Sequence, residues 1–132
     1  MGEEPKCGRV VVVTDTISIT GLRLTGYHGV FDFEKQDGQE FVIDLEVHLD
    51  LSRAGESDDL SHTLDYSVLV EQVAGRVTGA PVDLIEKLAE DILEIVWSHP
   101  QPTRAVVTVH KPEAPVAHPV SDIAVTLDRE RS

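Results

Sequence analysis

Four polar residues of this sequence lie where one predicted element ends and the next begins, and their types suit proton transfer. Glu34 and Glu86 are carboxylates, Lys111 is an amine and Tyr66 carries a phenol. Groups of these kinds can hydrogen-bond a small polar molecule and move protons to and from it. The sequence therefore offers candidates for a general acid–base site and for the residues that hold its substrate.

All four candidates also have an ordinary structural explanation. Glu34 is one of eleven acidic residues in segment 32–65, where a carboxylate is usually a solvated surface charge. In the corresponding structural explanations, Tyr66 is a half-buried packing residue and Lys111 is a solvated lysine in a loop. The residues alone leave these explanations open beside the functional ones.

Glu86 has two interpretations that use the same local geometry. It follows a predicted helix cap at Asp83 by three residues. This spacing is that of a capping-box partner, which also places a negative charge at the positive end of the helix dipole. In the functional interpretation, backbone N–H donors and a carboxylate acceptor at a helix start together match a flat heterocycle.

Composition argues against several function classes. The 132 residues contain 24 Asp and Glu against 11 Lys and Arg, a net charge of −13 that disfavours nucleic acids and anionic membranes as partners. The single Cys7 excludes a disulfide framework, and the six histidines show no metal-ligand spacing. No apolar run approaches the roughly 20 residues of a spanning helix, and the start does not resemble a signal peptide. We therefore expect a metal-free cytoplasmic protein.

Hydrophobic periodicity predicts the element order ββααββ. The predicted strands cover residues 17–24, 41–51, 104–110 and 123–127, and the predicted helices cover 67–79 and 83–98. Because strands and helices are grouped, we expect an α+β fold, with an antiparallel four-stranded sheet and two helices on one face. Its unprotected edge strands favour oligomerisation.

The chain is expected to contain one domain. Residues 16–132 form this domain, and residues 1–15 form an N-terminal extension that we expect to be disordered, with 10–13 as a candidate extension of the first strand. Gly21 is a candidate β-bulge within that strand.

Four sequence segments occur in order on this frame. They are Gly26-Tyr27-His28-Gly29 with Glu34 and Gly38-Gln39; Ser57-Asp58-Asp59 with Asp65-Tyr66; Asp83-Leu84-Ile85-Glu86 with Leu88-Ala89-Glu90; and His110-Lys111-Pro112 with Pro115. Across residues 16–129 they resemble dihydroneopterin aldolase of folate biosynthesis, especially its actinobacterial members. The resemblance implies the tunnelling fold, in which subunit sheets join into a ring barrel. It also implies a homo-octamer of two stacked tetramer rings, with each pterin site shared between adjacent subunits.

The resemblance further implies a reaction. A carbon–carbon lyase of this family cleaves 7,8-dihydroneopterin by a retro-aldol step into 6-hydroxymethyl-7,8-dihydropterin and glycolaldehyde, without metal or cofactor. The implied catalytic residues are Lys111 as proton donor and acceptor, Tyr66 of the adjacent subunit as a residue that helps to protonate the enol, and Glu34 as the residue that orders water near N5.

The resemblance assigns the remaining contacts to substrate binding. Glu86 is implied to bind the pterin 2-amino and N3–H groups, with the Ile85 backbone N–H beside it, while Glu34 and Tyr66 also contact the substrate. Leu64 and Val30 correspond to wall positions of the pocket.

Two alternatives remain at this point. The same site can support epimerisation at C2′ of dihydroneopterin or of its triphosphate, and a non-catalytic pterin-binding oligomeric module is the alternative from another class. The sequence also departs from the family at Ala117, which stands where a second proline is expected after Pro115-Val116. We expect a looser loop there.

Overall fold

The computed structural model describes residues 15–132, so the predicted extension at 1–15 and the candidate strand at 10–13 lie outside the described residues except for Asp15. The elements are β1 (Thr16–Gly26), α1 (Asp32–Asp37), β2 (Gln39–His48), α2 (Ser52–Ser57), a 3₁₀ turn (Leu60–His62), α3 (Tyr66–Val77), α4 (Ile85–Trp97), β3 (Arg104–His110) and β4 (Ala124–Glu130). None of the described helices combines the length and apolar character that a membrane crossing requires.

The four strands form one antiparallel sheet in the order β1-β2-β3-β4. The β1–β2 register shifts between Ile19 and Leu22, where Gly21 adopts a positive φ of 73°. The Gly21 N–H, which the shift removes from the ladder, donates to Asp44 Oδ1 at 2.7 Å. The bulge predicted at Gly21 is confirmed, and its donor is satisfied by a side chain of the neighbouring strand.

One face of the sheet carries the core, and α3 and α4 cover it. Strand β2 alternates as predicted: Phe41 and Ile43 are fully buried, whereas Asp44 and Glu46 lie on the opposite, helix-free face. In α4 the buried positions recur with helical spacing, at Ile85, Leu88, Ala89, Ile92, Leu93 and Val96. These residues join the buried β2 and β3 residues in a single cluster, so the predicted α+β fold is confirmed.

Element starts differ from the prediction where capping decides them. Helix α4 begins at Ile85 with Leu84 as its extended N-cap, so the predicted cap at Asp83 is wrong and Glu86 is not its N3 partner. Helix α3 begins one residue early, at Tyr66, because Asp65 accepts hydrogen bonds from its first turn. Helices α1 and α2 have six residues each, which is too short for a periodic signal, and they were not predicted.

Candidate active site

A cleft of about 290 Å³ lies on the helix-bearing side of the molecule, where the end of β3 meets α1 and the start of α4. Five of the seven predicted site residues line it: Val30, Glu34, Ile85, Glu86 and Lys111. The volume is at the low end for small-molecule sites. A single chain therefore brings together most of the predicted site in a shallow recess.

Glu34 lies on α1 and is almost completely buried, so its explanation as a solvated surface charge is wrong. Its Oε1 accepts the Phe31 N–H at 3.2 Å, which closes the first turn of α1, and its Oε2 accepts a hydrogen bond from Gln39 Nε2 at 2.9 Å. Gly29 has a positive φ, and a Cβ there would overlap the Glu34 carboxylate. Glycine at this position leaves room for the buried acid.

Lys111 follows the last residue of β3 and points into the cleft, where its Nζ lies 2.7 Å from Glu34 Oε2. The Lys111 and Glu34 side chains are only 12% and 2% exposed, so the explanation of Lys111 as a solvated loop residue is also wrong. Burial alone would raise the pKa of the Glu34 carboxyl, but the hydrogen bonds from Lys111, from Gln39 and from one backbone N–H outweigh it. They hold that pKa below its ordinary value, and the pair is a buried ion pair.

The start of α4 forms the opposite wall of the cleft. Ile85 lines the cleft, its side chain belongs to the buried core cluster, and its main chain forms the first turn of the helix. The first N–H groups of a helix have no intrahelical acceptor, and the N–H groups of Ile85 and Glu86 are among these. The Glu86 side chain is exposed at the same place. This wall thus combines donors and a carboxylate acceptor.

His28 connects the end of β1 to the segment that leads into α4. The ring is fully buried, with Nε2 2.7 Å from the Val77 carbonyl oxygen and Nδ1 accepting the Val82 N–H at 3.1 Å. These partners require a neutral ring protonated at Nε2, and burial lowers the His28 pKa in the same direction. His28 therefore helps to fix the position of Ile85 and Glu86.

Lys35 makes a second connection between the two walls of the cleft. Its Nζ donates to the Gly29 carbonyl oxygen at 2.6 Å and lies 2.7 Å from Asp83 Oδ1. The predicted cap residue Asp83 thus pairs across to α1 instead of capping α4. This bridge ties the loop before α4 to the helix that carries Glu34.

Tyr66 and Leu64 are the two predicted site residues that do not line the cleft. Tyr66 is the first residue of α3 and is 60% exposed, so its explanation as a half-buried packing residue is wrong. The Leu64 side chain is fully buried in the core. Within one chain, Tyr66 faces solvent and Leu64 contributes packing.

Sequence reasoning did not single out Gln39, His28 or Lys35 as site residues. A signal was present for the first two, since both stand next to glycines in the segments that carry the family resemblance. For Lys35 there was none, because its partners Gly29 and Asp83 are 6 and 48 residues away along the chain. Such pairings depend on the tertiary structure.

Comparisons with known proteins agree on one family. The family model described as FolB: Dihydroneopterin aldolase matches residues 17–128. Dihydroneopterin aldolase of Streptomyces coelicolor is 41% identical over 117 residues, which cover 89% of this chain and 98% of that protein. Dihydroneopterin aldolase of Bacillus subtilis is 40% identical over 119 residues, covering 89% and 99%.

Solved structures show the same likeness in three dimensions. A putative dihydroneopterin aldolase (FolB) from Vibrio cholerae superposes with a TM-score of 0.83 at 28% identity, covering 91% of this chain and 100% of that chain. The dihydroneopterin aldolase of E. coli, solved in complex with neopterin, gives a TM-score of 0.80 at 30% identity, covering 88% and 99%.

The matched region contains every segment that lines the cleft, and the relatives are matched over nearly their whole length. The resemblance inferred from the four junction segments is therefore confirmed. This chain belongs to the dihydroneopterin aldolase family.

Proposed function

We propose that the protein is a dihydroneopterin aldolase, a lyase that cleaves 7,8-dihydroneopterin into 6-hydroxymethyl-7,8-dihydropterin and glycolaldehyde. The observation that carries this proposal is the buried Glu34–Lys111 pair, with 2.7 Å between Nζ and Oε2, facing the start of α4 across the cleft. Relatives with the same name, and a solved relative in complex with neopterin, support the substrate class.

The substrate itself supplies the electron sink for this reaction. Removal of the proton from the 2′-hydroxyl lets its oxygen form the carbonyl of glycolaldehyde while the C1′–C2′ bond breaks. The released electron pair forms C1′=C6, and the C6=N5 pair moves to N5, which takes up a proton. Protonation of C1′ and loss of the N5 proton then restore the imine in the product.

This chemistry requires positioned proton transfers, each of which contributes about 10²–10⁴-fold to the rate. We assign Lys111 as the proton donor and acceptor and Glu34 as the residue that holds Lys111 and orders water near N5. Because the imine already accepts the electron pair, we propose that the reaction proceeds without metal or organic cofactor. We also propose that the protein acts in the cytoplasm.

The start of α4 is assigned to substrate recognition. We propose that Glu86 accepts hydrogen bonds from the pterin 2-amino and N3–H groups and that the Ile85 N–H donates beside it. Charge-assisted bonds of this kind contribute about 1.5–3 kcal/mol each. Val30 lines the cleft and is assigned to its wall. Leu64 does not line the cleft of its own chain, and its assignment as a wall position rests on the family resemblance alone.

We further propose a homo-octamer of two stacked four-subunit rings, with Tyr66 reaching the cleft of the adjacent subunit. The exposure of Tyr66 outside its own cleft supports this arrangement. So does the sheet order, because β1 and β4 are edge strands that another copy can pair with. Light scattering should give the mass of eight chains, and a monomer would contradict the shared site.

The deciding experiment incubates the purified oligomer with 7,8-dihydroneopterin and measures glycolaldehyde and dihydromonapterin. We expect stoichiometric glycolaldehyde and 6-hydroxymethyl-7,8-dihydropterin. Dihydromonapterin without glycolaldehyde would replace the aldolase with a 2′-epimerase. Tight binding of the pterin without either product would leave a non-catalytic binding module.

A further inference from the structure

Lys111 is preceded by a histidine whose ring is held between two carboxylates. His110 Nδ1 lies 2.6 Å from Asp122 Oδ2, and His110 Nε2 lies 2.7 Å from Asp44 Oδ2. Asp44 belongs to β2, and Asp122 stands two residues before β4. One ring therefore connects three neighbouring segments of the sheet. None of the three residues lines the cleft.

His110 and Lys111 are consecutive residues that serve opposite faces of the sheet. Side chains alternate along a strand, and Val109 is buried on the helix-bearing face. His110 accordingly lies on the helix-free face with Asp44, and Lys111 enters the cleft on the helix-bearing face. The His110 ring and the Lys111 side chain therefore leave one stretch of backbone in opposite directions.

The same residues close the neck of the loop that runs from Lys111 to Ile123. The Lys111 N–H donates to the Ile123 carbonyl oxygen at 2.7 Å. Beside this backbone bond, the His110 ring contacts the side chain of Asp122. The loop also supplies Pro115 to the cleft. Beyond the last β3–β4 register pair, His110 with Ala124, the neck thus adds one backbone bond and one side-chain bond, and the side-chain bond is anchored to β2 through Asp44.

The geometry also favours the charged state of the His110 ring. Ionised carboxylates only accept hydrogen bonds, so the ring can donate to both of them only as an imidazolium. The bonds to Asp122 and Asp44 outweigh the opposing effect of burial and raise the pKa of His110 above its ordinary 6.5. Among the residues that the structure describes, Arg23 of β1 and Glu40 of β2 are the other charged groups around the same hollow.

We propose that His110, held as a cation between Asp44 and Asp122, is a positioning residue that keeps the neck of the 111–123 loop closed and so aims Lys111 at the substrate. This inference rests on the proposed aldolase function. A proton donor displaced by about 1 Å can lose about 10²-fold in rate, so a clamp on the preceding residue has a measurable effect on turnover.

The test compares His110→Gln and Asp122→Asn with the control His48→Gln. His48 lies on the same face and pairs with Glu46 at 2.6 Å, but its register partner is Arg104, at the other end of β3. We expect kcat to fall about 10- to 100-fold in both neck variants and to stay at the wild-type value in the control. KM should change little, because Glu86 and Ile85 are untouched.

Two further measurements separate positioning from a general loss of structure. Hydrogen exchange of the peptide that contains Lys111 should accelerate about tenfold or more in the neck variants, while peptides from α4 keep their protection. In the wild type, NMR of the His110 ring should show a titration above pH 6.5. The wild-type kcat should decline through that titration, and this step should be missing from His110→Gln.

Full kcat in either neck variant, or a wild-type His110 ring that titrates at or below 6.5, would overturn the proposal. Faster exchange at Lys111 without loss of kcat would also overturn it, because the neck would then not position the lysine. A wild-type oligomer that releases no glycolaldehyde counts against the aldolase function instead. Ring titration and exchange then still decide whether His110 holds the neck.

Discussion

The end of β3 carries two cation–carboxylate arrangements on opposite faces of the sheet, and they differ in burial. On the helix-bearing face, Lys111 and Glu34 are almost completely removed from solvent. On the helix-free face, the His110 side chain is 26% exposed and its partners Asp44 and Asp122 are 38% and 37% exposed. The two arrangements are separated by a single peptide bond.

The difference in burial gives the adjacent residues His110 and Lys111 different physical properties. A buried ion pair depends on both partners, because removal of one leaves an uncompensated charge in a region of low polarity. A partly exposed cluster is screened by water, and either charge state of its histidine can be solvated. The buried side suits chemistry that needs a fixed proton donor, and the exposed side suits a support that titrates.

The largest effect is expected on the buried side. Lys111→Ala should lower kcat by about 10²–10⁴-fold, because it removes the assigned proton donor, while pterin binding falls only modestly. Lys87→Ala is a matched control, since Lys87 is an exposed lysine paired with Asp91. Single-turnover kinetics and pterin titration measure the two effects. Equal losses of binding in Lys111→Ala and Glu86→Ala would show that the roles are misassigned.

The next largest effect is expected on the free energy of unfolding, where loss of a buried ionic partner should cost more than loss of an exposed one. Glu34→Gln leaves Lys111 buried without its ionic partner, and we expect the free energy of unfolding to fall by about 3 kcal/mol. Glu46→Gln, which removes the exposed partner of His48, should cost less than about 1 kcal/mol. Urea denaturation of both variants provides the comparison. Similar losses would mean that burial does not distinguish these pairs.

A mutation at the start of α4 should weaken pterin binding without disturbing the ion pairs on the two faces of β3. Glu86→Ala should raise the dissociation constant for a pterin about 10- to 100-fold, which corresponds to the loss of one or two charge-assisted hydrogen bonds. Because Glu86 is exposed, unfolding should be unchanged. Glu90→Ala is the control, since Glu90 lies one turn later and pairs with Arg129. An unchanged dissociation constant in Glu86→Ala would remove Glu86 from the site.

The smallest effect is the pH dependence of stability on the exposed side. The folded-state pKa of His110 is raised, so its contribution is complete below the unfolded value of 6.5 and is lost as pH rises through the folded pKa. Asp44 has a lowered pKa, because bonds from Gly21 and His110 outweigh burial, and its contribution is lost only in acid. Denaturation curves of wild type and His110→Gln should diverge by less than about 1 kcal/mol and converge at high pH. A constant difference at every pH would contradict this assignment.

The regular elements could be predicted from the sequence because their signals are local. Alternation in β2 and the apolar stripe of α4 each repeat over at least ten residues, and one face of each is buried as predicted. The cap of α4 could not be predicted in the same way. Asp83 has the right type for a cap, but its carboxylate is engaged by Lys35 from α1.

For the candidate site, the sequence likewise identified residues but not their environments. Residue types at element junctions, together with the family resemblance, identified Glu34, Ile85, Glu86, Lys111 and Val30, and the fold brings all five into one cleft. Their environments were not visible in the chain. Glu34 is one acid among eleven in segment 32–65, and nothing in the local sequence distinguishes the one that becomes buried.

The sequence by itself determined the order of strands and helices, the family and the residues that are candidates for chemistry, because periodicity and motifs are properties of neighbouring positions. Tertiary structure alone decided that Lys111 meets Glu34, 77 positions away, and that His110 meets Asp44, 66 positions away. Burial and charge pairing depend on distance in space and on the exclusion of water. Because a strand directs consecutive residues to opposite faces, two adjacent positions provide the partly exposed positioning residue His110 and the buried proton donor Lys111.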